Sequence, residues 1–145
     1  MATYRILIQL SIAWLVAGCH AMGAAPVGAG APAARVTGTV TYLQRVALPP
    51  EALIKLHLLD VSRADAPAVM LGEQVITASG RQLPFAFEIT YDPARIDPRM
   101  TYAISARVEE GGRLRFISDQ RHVVITRGAP SHVDIVLKAV GGAQK

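Results

Sequence analysis

From Arg35 onward the chain alternates. Val36, Gly38, Val40 and Tyr42 are interleaved with Thr37, Thr39 and Thr41. The same period of two returns at Ile54, Leu56 and Leu58 around Lys55 and His57, and at Phe85, Phe87, Ile89 and Tyr91 around Ala86, Glu88 and Thr90. It returns again at Tyr102, Ile104, Ala106 and Val108, and at Val133, Ile135 and Leu137. Successive side chains of a strand point to opposite faces, so each run predicts a strand with one buried and one mostly wet face. Weaker runs lie at 68–77, 113–118 and 122–126. Chain breakers separate them: Pro49-Pro50, Asp92-Pro93, Asp97-Pro98 and Gly128-Ala129-Pro130. Gly111-Gly112 predicts a two-residue hairpin, because both central positions can take positive φ. About seven or eight short strands at this spacing predict an all-β fold, a single small antiparallel β-sandwich with Greek-key-like links. A small barrel is the alternative. The helical candidate is a turn near Pro50–Leu53.

Residues 1–34 follow a different pattern. Arg5 is a short positive start, and residues 6–16, ILIQLSIAWLV, are an apolar stretch. As a helix that stretch rises only about 16 Å against roughly 30 Å of hydrocarbon, too short to span a membrane. A charged start, a short apolar segment and small residues after it make a secretory signal. Its end, Val16-Ala17-Gly18-Cys19, resembles the lipobox of bacterial lipoproteins. That resemblance implies a signal peptide at 1–18, cleavage between Gly18 and Cys19, and a diacylglycerol with an N-acyl lipid on Cys19. Membrane lipid is then a partner through acylated Cys19. The residue after the cysteine is His20, where an Asp would resemble an inner-membrane retention signal. The expected address is therefore the outer membrane, facing the periplasm.

Residues 19–34 hold the lipidated cysteine and a Gly/Ala/Pro tether without charge or alternation. Fifteen such residues have a root-mean-square span of about 20 Å, so the domain at 35–140 would hover close to the bilayer. Residues 141–145 read as a flexible tail.

Composition narrows the chemistry. The chain has 145 residues, 51% of them apolar, enough for one packed domain. One cysteine cannot form an internal disulfide, so the core alone must hold the fold. Net charge is +4, without an RNA- or DNA-binding signature, and no nucleic-acid partner is expected. No histidine pair has close metal-ligand spacing, so neither a metal nor any cofactor beyond the lipid is expected. His57 and Asp60, three apart on a strand, face opposite sides, and His57 falls on the outward face. Asp119 and His122 share that objection. Ser62, Ser79 and Ser118 lack a Gly-x-Ser-x-Gly context. No catalytic residue is assigned, and the chain is expected not to be an enzyme. Arg113, Arg115 and Arg121 form the densest basic stretch. They read as a solvated hairpin or as a contact face for anionic headgroups or an acidic partner.

Several segments together resemble the YbaY/YscW family of envelope lipoproteins. These are the opening VTGTVTY strand, ALPPEA before the next strand, LLDVS after it, and LPFAF later. The resemblance covers nearly all of 35–140, and its specificity lies in the order of the segments. It implies a small β-sandwich. One branch of the family chaperones type III secretion as pilotins, which bind a secretin subunit and help it reach the outer membrane. The other branch, which the ALPPEA and LLDVS segments resemble more, has no well-defined activity, so the resemblance implies location and fold and offers the pilotin role as a candidate. The expected role is therefore a non-enzymatic outer-membrane lipoprotein whose domain binds or chaperones another envelope protein, such as a secretin subunit. The alternative is an envelope glycan or small-molecule binding module, with or without enzymatic activity. Transthyretin-like hydrolases of cyclic ureides also resemble the fold, but they end in Tyr-Arg-Gly-Ser where this chain ends KAVGGAQK.

Overall fold

The alternating positions become the core. A computed structural model describes residues 33–141. Gly18 and Cys19 lie outside the described residues, as does most of the tether. Eight strands follow in order: β1 (Ala34–Tyr42), β2 (Leu53–Asp60), β3 (Val69–Thr77), β4 (Phe85–Tyr91), β5 (Tyr102–Glu110), β6 (Arg113–Ile117), β7 (His122–Val124) and β8 (His132–Ala139). All five strong runs and all three weak ones are strands. Val36, Val40, Ile54, Leu56, Leu58, Ile89, Ile104, Val108, Ile135 and Leu137 are buried, as the period predicts. Burying such side chains contributes about 1.5–3 kcal/mol each before chain entropy is counted.

Pairing gives the order β3-β2-β5-β6-β8-β1-β4, with β7 continuing along β5 below β6. The sheet folds over on itself into two layers, β8-β1-β4 and β3-β2-β5-β6, joined by a short seam at Phe116↔Ala139 and Ile117↔Lys138. The edges β3 and β4 then approach each other. The Gln74 side-chain oxygen accepts from the Glu88 backbone N–H at 2.8 Å across this gap. The result is a sandwich nearly closed into a barrel, which merges the two architectures that the pattern allows.

Two local features depart from expectation. β1 and β8 pair parallel, with Gly38 opposite Val133 and Tyr42 opposite Leu137, inside an otherwise antiparallel sheet. Parallel neighbours must be joined by a long connection, and here it is nearly the whole domain. Period two carries no information on pairing direction. The turn expected to be helical near Pro50–Leu53 is a tight turn closed by the Ala52 N–H on the Pro49 carbonyl at 3.0 Å. A 3₁₀ turn forms instead at Pro93–Arg95. Asp92 caps it, its carboxylate accepting from the Ala94 N–H at 2.9 Å, and Pro93 sits where a missing donor costs nothing. The expected hairpin is present: Glu110 pairs Arg113, and Gly111 and Gly112 have φ of 54° and 78°.

Candidate functional site

Strand directions sort the loops into two ends. β1 begins at Ala34, opposite Tyr91, at the end built from loops 61–68, 92–101 and 125–131, called the tether end after the tether expected to precede β1. The opposite end carries loops 43–52 and 78–84, the Gly111-Gly112 hairpin and the exit of β8. β1 has nine residues, which at about 3.3 Å each puts the ends roughly 30 Å apart.

The two ends differ in chemistry. At the tether end, loops are stitched by hydrogen bonds. The Thr101 N–H donates to Ser62 Oγ at 2.8 Å, Thr126 Oγ1 to the Met100 carbonyl at 2.8 Å, and Arg127 Nη2 to the Arg99 carbonyl at 2.9 Å. Charges there balance: Arg63, Arg95, Arg99 and Arg127 stand among Asp60, Asp65, Asp92 and Asp97. At the far end Arg45, Arg81, Arg113 and Arg115 meet only Glu51 and Glu110. Apolar side chains are exposed at both ends, Val69 and Met70 at the tether end and three others here. Leu43 is 82% exposed, Val46 51% and Val140 45%. Sequence reading passed over these three because they lie off the alternation. The available signal is that Leu43 and Val46 are large apolar residues in a loop, where turn chemistry favours polar ones.

The three arginines singled out by sequence do not share one face. Arg113 and Arg115 line a hollow of about 320 Å³ with Glu51 and Glu110. A bulge sits between them: Val108 pairs Phe116 and Glu109 pairs Leu114, leaving Arg115 as the extra residue. A bulge re-aims the side chain it carries, and Arg115 Nε comes to 3.1 Å from Glu110 Oε2. Arg121 lies on the flank, beside a separate hollow of about 230 Å³ floored by Leu59, Ala103 and Ile104. The chain is diverted there because Ser118 takes over pairing with β5, accepting from the Ala106 N–H at 3.1 Å and donating its own N–H to the Ala106 carbonyl at 2.8 Å.

The polar pairs considered as catalytic are held in other contacts. His57 faces outward on β2 but is covered, its side chain 19% exposed and its Nε2 3.9 Å from Glu73. Asp60 turns away to accept from the Ser62 N–H at 2.9 Å. Asp119 pairs with Lys138 instead of His122. Beside His57, Glu109 lies between Lys55 Nζ at 2.6 Å and Arg107 Nε at 3.0 Å. Among the described residues no three His, Cys, Asp or Glu side chains gather as a metal would require.

These contacts set a pH response. Burial, reinforced by Arg107, lowers the pKa of His57, while Glu73 opposes it more weakly. Burial also lowers that of His122, against the pull of Asp119. The Lys55 hydrogen bond lowers Glu109, the Lys138 hydrogen bond lowers Asp119, and Arg99 brings Asp97 down to about 2. In every case the folded pKa lies below the unfolded one. The stabilisation is then complete above the unfolded pKa and lost as pH falls through the folded one. Thermal stability should therefore fall in two stages on acidification: below about 6.5 for the histidines, then below about 4 for the carboxylates. A His57→Gln, His122→Gln double variant should lose the upper stage and keep the lower. Melting curves from pH 8 to 3 check this, and an unchanged upper stage in the double variant contradicts it.

Comparison with known proteins places this geometry. Residues 31–137 match the family model for the type III secretion system lipoprotein chaperone YscW. The chain is 37% identical over 105 residues to the uncharacterized lipoprotein YbaY of Escherichia coli (strain K12), covering 72% of this chain and 55% of that relative. The chain thus spans about half the length of that relative. Among solved structures, an alternative pilotin from the type II secretion system of Vibrio cholerae superposes with a TM-score of 0.73 at 41% identity. That match covers 76% of this chain and 99% of the pilotin.

Proposed function

Because the chain belongs to the YscW family of type III secretion system lipoprotein chaperones, we propose that it is a pilotin-like outer-membrane lipoprotein. Its role is to hold an envelope protein of the secretin type, and it is not an enzyme. The observation that carries this reading is the match to a pilotin over 99% of that chain at 41% identity. The lipobox ending at Cys19 supports it from outside the matched region. In this reading Gly18-Cys19 is the cleavage point, acyl chains on Cys19 fix the protein to the periplasmic face of the outer membrane, and the tether gives the domain room to turn. The glycan or small-molecule alternative needs a cleft with converging polar groups. The space between the layers is instead filled by Tyr42, Phe85, Phe87, Ile104 and Phe116, all at most 5% exposed.

The test is purification of the acylated full chain from detergent-solubilised envelope, together with a deletion strain. A secretin subunit should co-purify, and its multimers should decline in the outer-membrane fraction of the deletion strain. Unchanged secretin multimers with no co-purifying subunit would sink the reading.

A further inference from the structure

The far end of the domain carries an apolar groove and a basic hollow that meet at one side chain. Val46, Phe116, Ala139 and Val140 line the groove, of about 180 Å³, and Arg115 lines both it and the hollow beside Arg113. The groove floor is aromatic: the Phe116 ring stacks on Tyr42 with centroids 4.3 Å apart and planes 13° from parallel. Arg113 has no ion-pair partner among the described residues, and Arg115 is shared with Glu110. Exposed apolar residues beside uncompensated charge are unusual on the surface of a domain that otherwise balances its charges.

We infer that this far end is the docking surface, and that its occupant is an amphipathic segment of the partner protein carrying carboxylates. Apolar side chains of the segment lie over Val46, Val140 and Phe116. An Asp or Glu engages Arg113, a geometry in which guanidinium and carboxylate can form two parallel hydrogen bonds. Charge complementarity selects this occupant. A second copy of the chain would bring like-charged arginines together. Anionic headgroups would engage the arginines but leave the apolar groove of Val46, Val140 and Phe116 unfilled. The inference rests on the reading of the chain as a tethered protein that holds an envelope partner.

Photocrosslinking of the full acylated chain in cells tests it. A photoreactive residue replaces Leu43, Val46 or Val140 in turn, with Val69 and Ala94 at the tether end as controls. Far-end positions should give adducts with one envelope protein, mapping to a segment with apolar and acidic side chains. Arg113→Glu should cut the yield about tenfold, as expected for a charge-assisted hydrogen bond, and Arg113→Lys should restore it only in part, since an ammonium keeps the charge but not the paired hydrogen bonds. Arg113 is exposed, and equal melting temperatures will show that each variant folds. Adducts that arise only at Val69 or Ala94 overturn the surface while leaving the proposed function standing. Far-end adducts with lipid, with a second copy or with a segment lacking carboxylates overturn the occupant, as does a yield indifferent to Arg113→Glu. Protein adducts from no position at all count against the pilotin-like reading itself.

Discussion

Gly38→Ala should cost the domain about 3 kcal/mol or more, at the severe end of overpacking changes. The alternation places Gly38 on the inward face of β1, between Val36 and Val40. It is opposite Phe87 on β4 and Val133 on β8. A methyl group there would lie 1.8 Å from the Val133 carbonyl oxygen, 2.8 Å from its carbonyl carbon and 2.9 Å from the Phe87 ring. The first two are backbone atoms, so no rotamer change relieves the contact. Relief requires β8 to move off β1, and that breaks the parallel pairing that closes the layer. For a domain of this size each kcal/mol lowers the melting temperature by roughly 4–8 °C, so the expected fall is on the order of 15 °C. Gly38→Val should leave too little stability to fold. Thermal melts followed by circular dichroism decide the matter. A Gly38→Ala variant melting within about 3 °C of wild type would mean that β8 yields more easily than its packing allows.

If the proposed lipid anchor at Cys19 holds, Cys19→Ser should empty the outer-membrane fraction of this protein. A single acyl chain holds a protein to a membrane only marginally, at about 10⁴ M⁻¹, whereas two or more give stable attachment, because each buried methylene contributes about 0.8 kcal/mol. In the proposed function Cys19 carries every acyl chain; a serine hydroxyl there gives the lipid-transfer step no thiol, so all of them would be lost at once. No described helix is long and apolar enough to cross a membrane, and the tether end balances its charges. Density-gradient fractionation of wild type and variant is the measurement. Equal recovery of the two in the outer-membrane fraction would remove the lipid anchor from the proposed function.

Much of the fold is legible in one chain because burial on a half-wet sheet repeats every second residue. β1, β2, β4, β5 and β8 each announce themselves this way. β3 is harder to read: it lies at an edge, its pairing with β2 slips at Leu58/Leu59, and Val69, Met70 and Val75 remain exposed. Two-fold periodicity also leads His57 to be read correctly as outward-facing. It does not show that Glu73, Arg107 and the neighbouring strands cover that histidine, since those neighbours are distant in sequence.

The candidate surface was legible only in part. Arg113 and Arg115 stand out as a basic pair by spacing alone, and the hollow they share bears on that pairing. Arg121 belongs to the same run of sequence but not to the same surface. Ser118 captures the edge of β5 and turns the chain aside, a contact between positions twelve residues apart. Leu43, Val46 and Val140 have no periodic signature. They come together because β1 and β8 run side by side and end at the same end.

By itself, the sequence determined the strand set, the inward face of each strand, the hairpin at Gly111-Gly112 and the expectation of a lipid anchor at Cys19. Each of these depends on residues adjacent along the chain, where φ, side-chain direction and motif spacing are local quantities. Only the tertiary structure decided that β1 and β8 lie parallel, that β3 and β4 nearly close the sheet, and that β1 begins at one end while the unbalanced basic residues gather at the other. Those facts depend on contacts between residues tens of positions apart. Chain direction, edge pairing and loop placement are set there by which surfaces pack best, and period two is the same for every such choice.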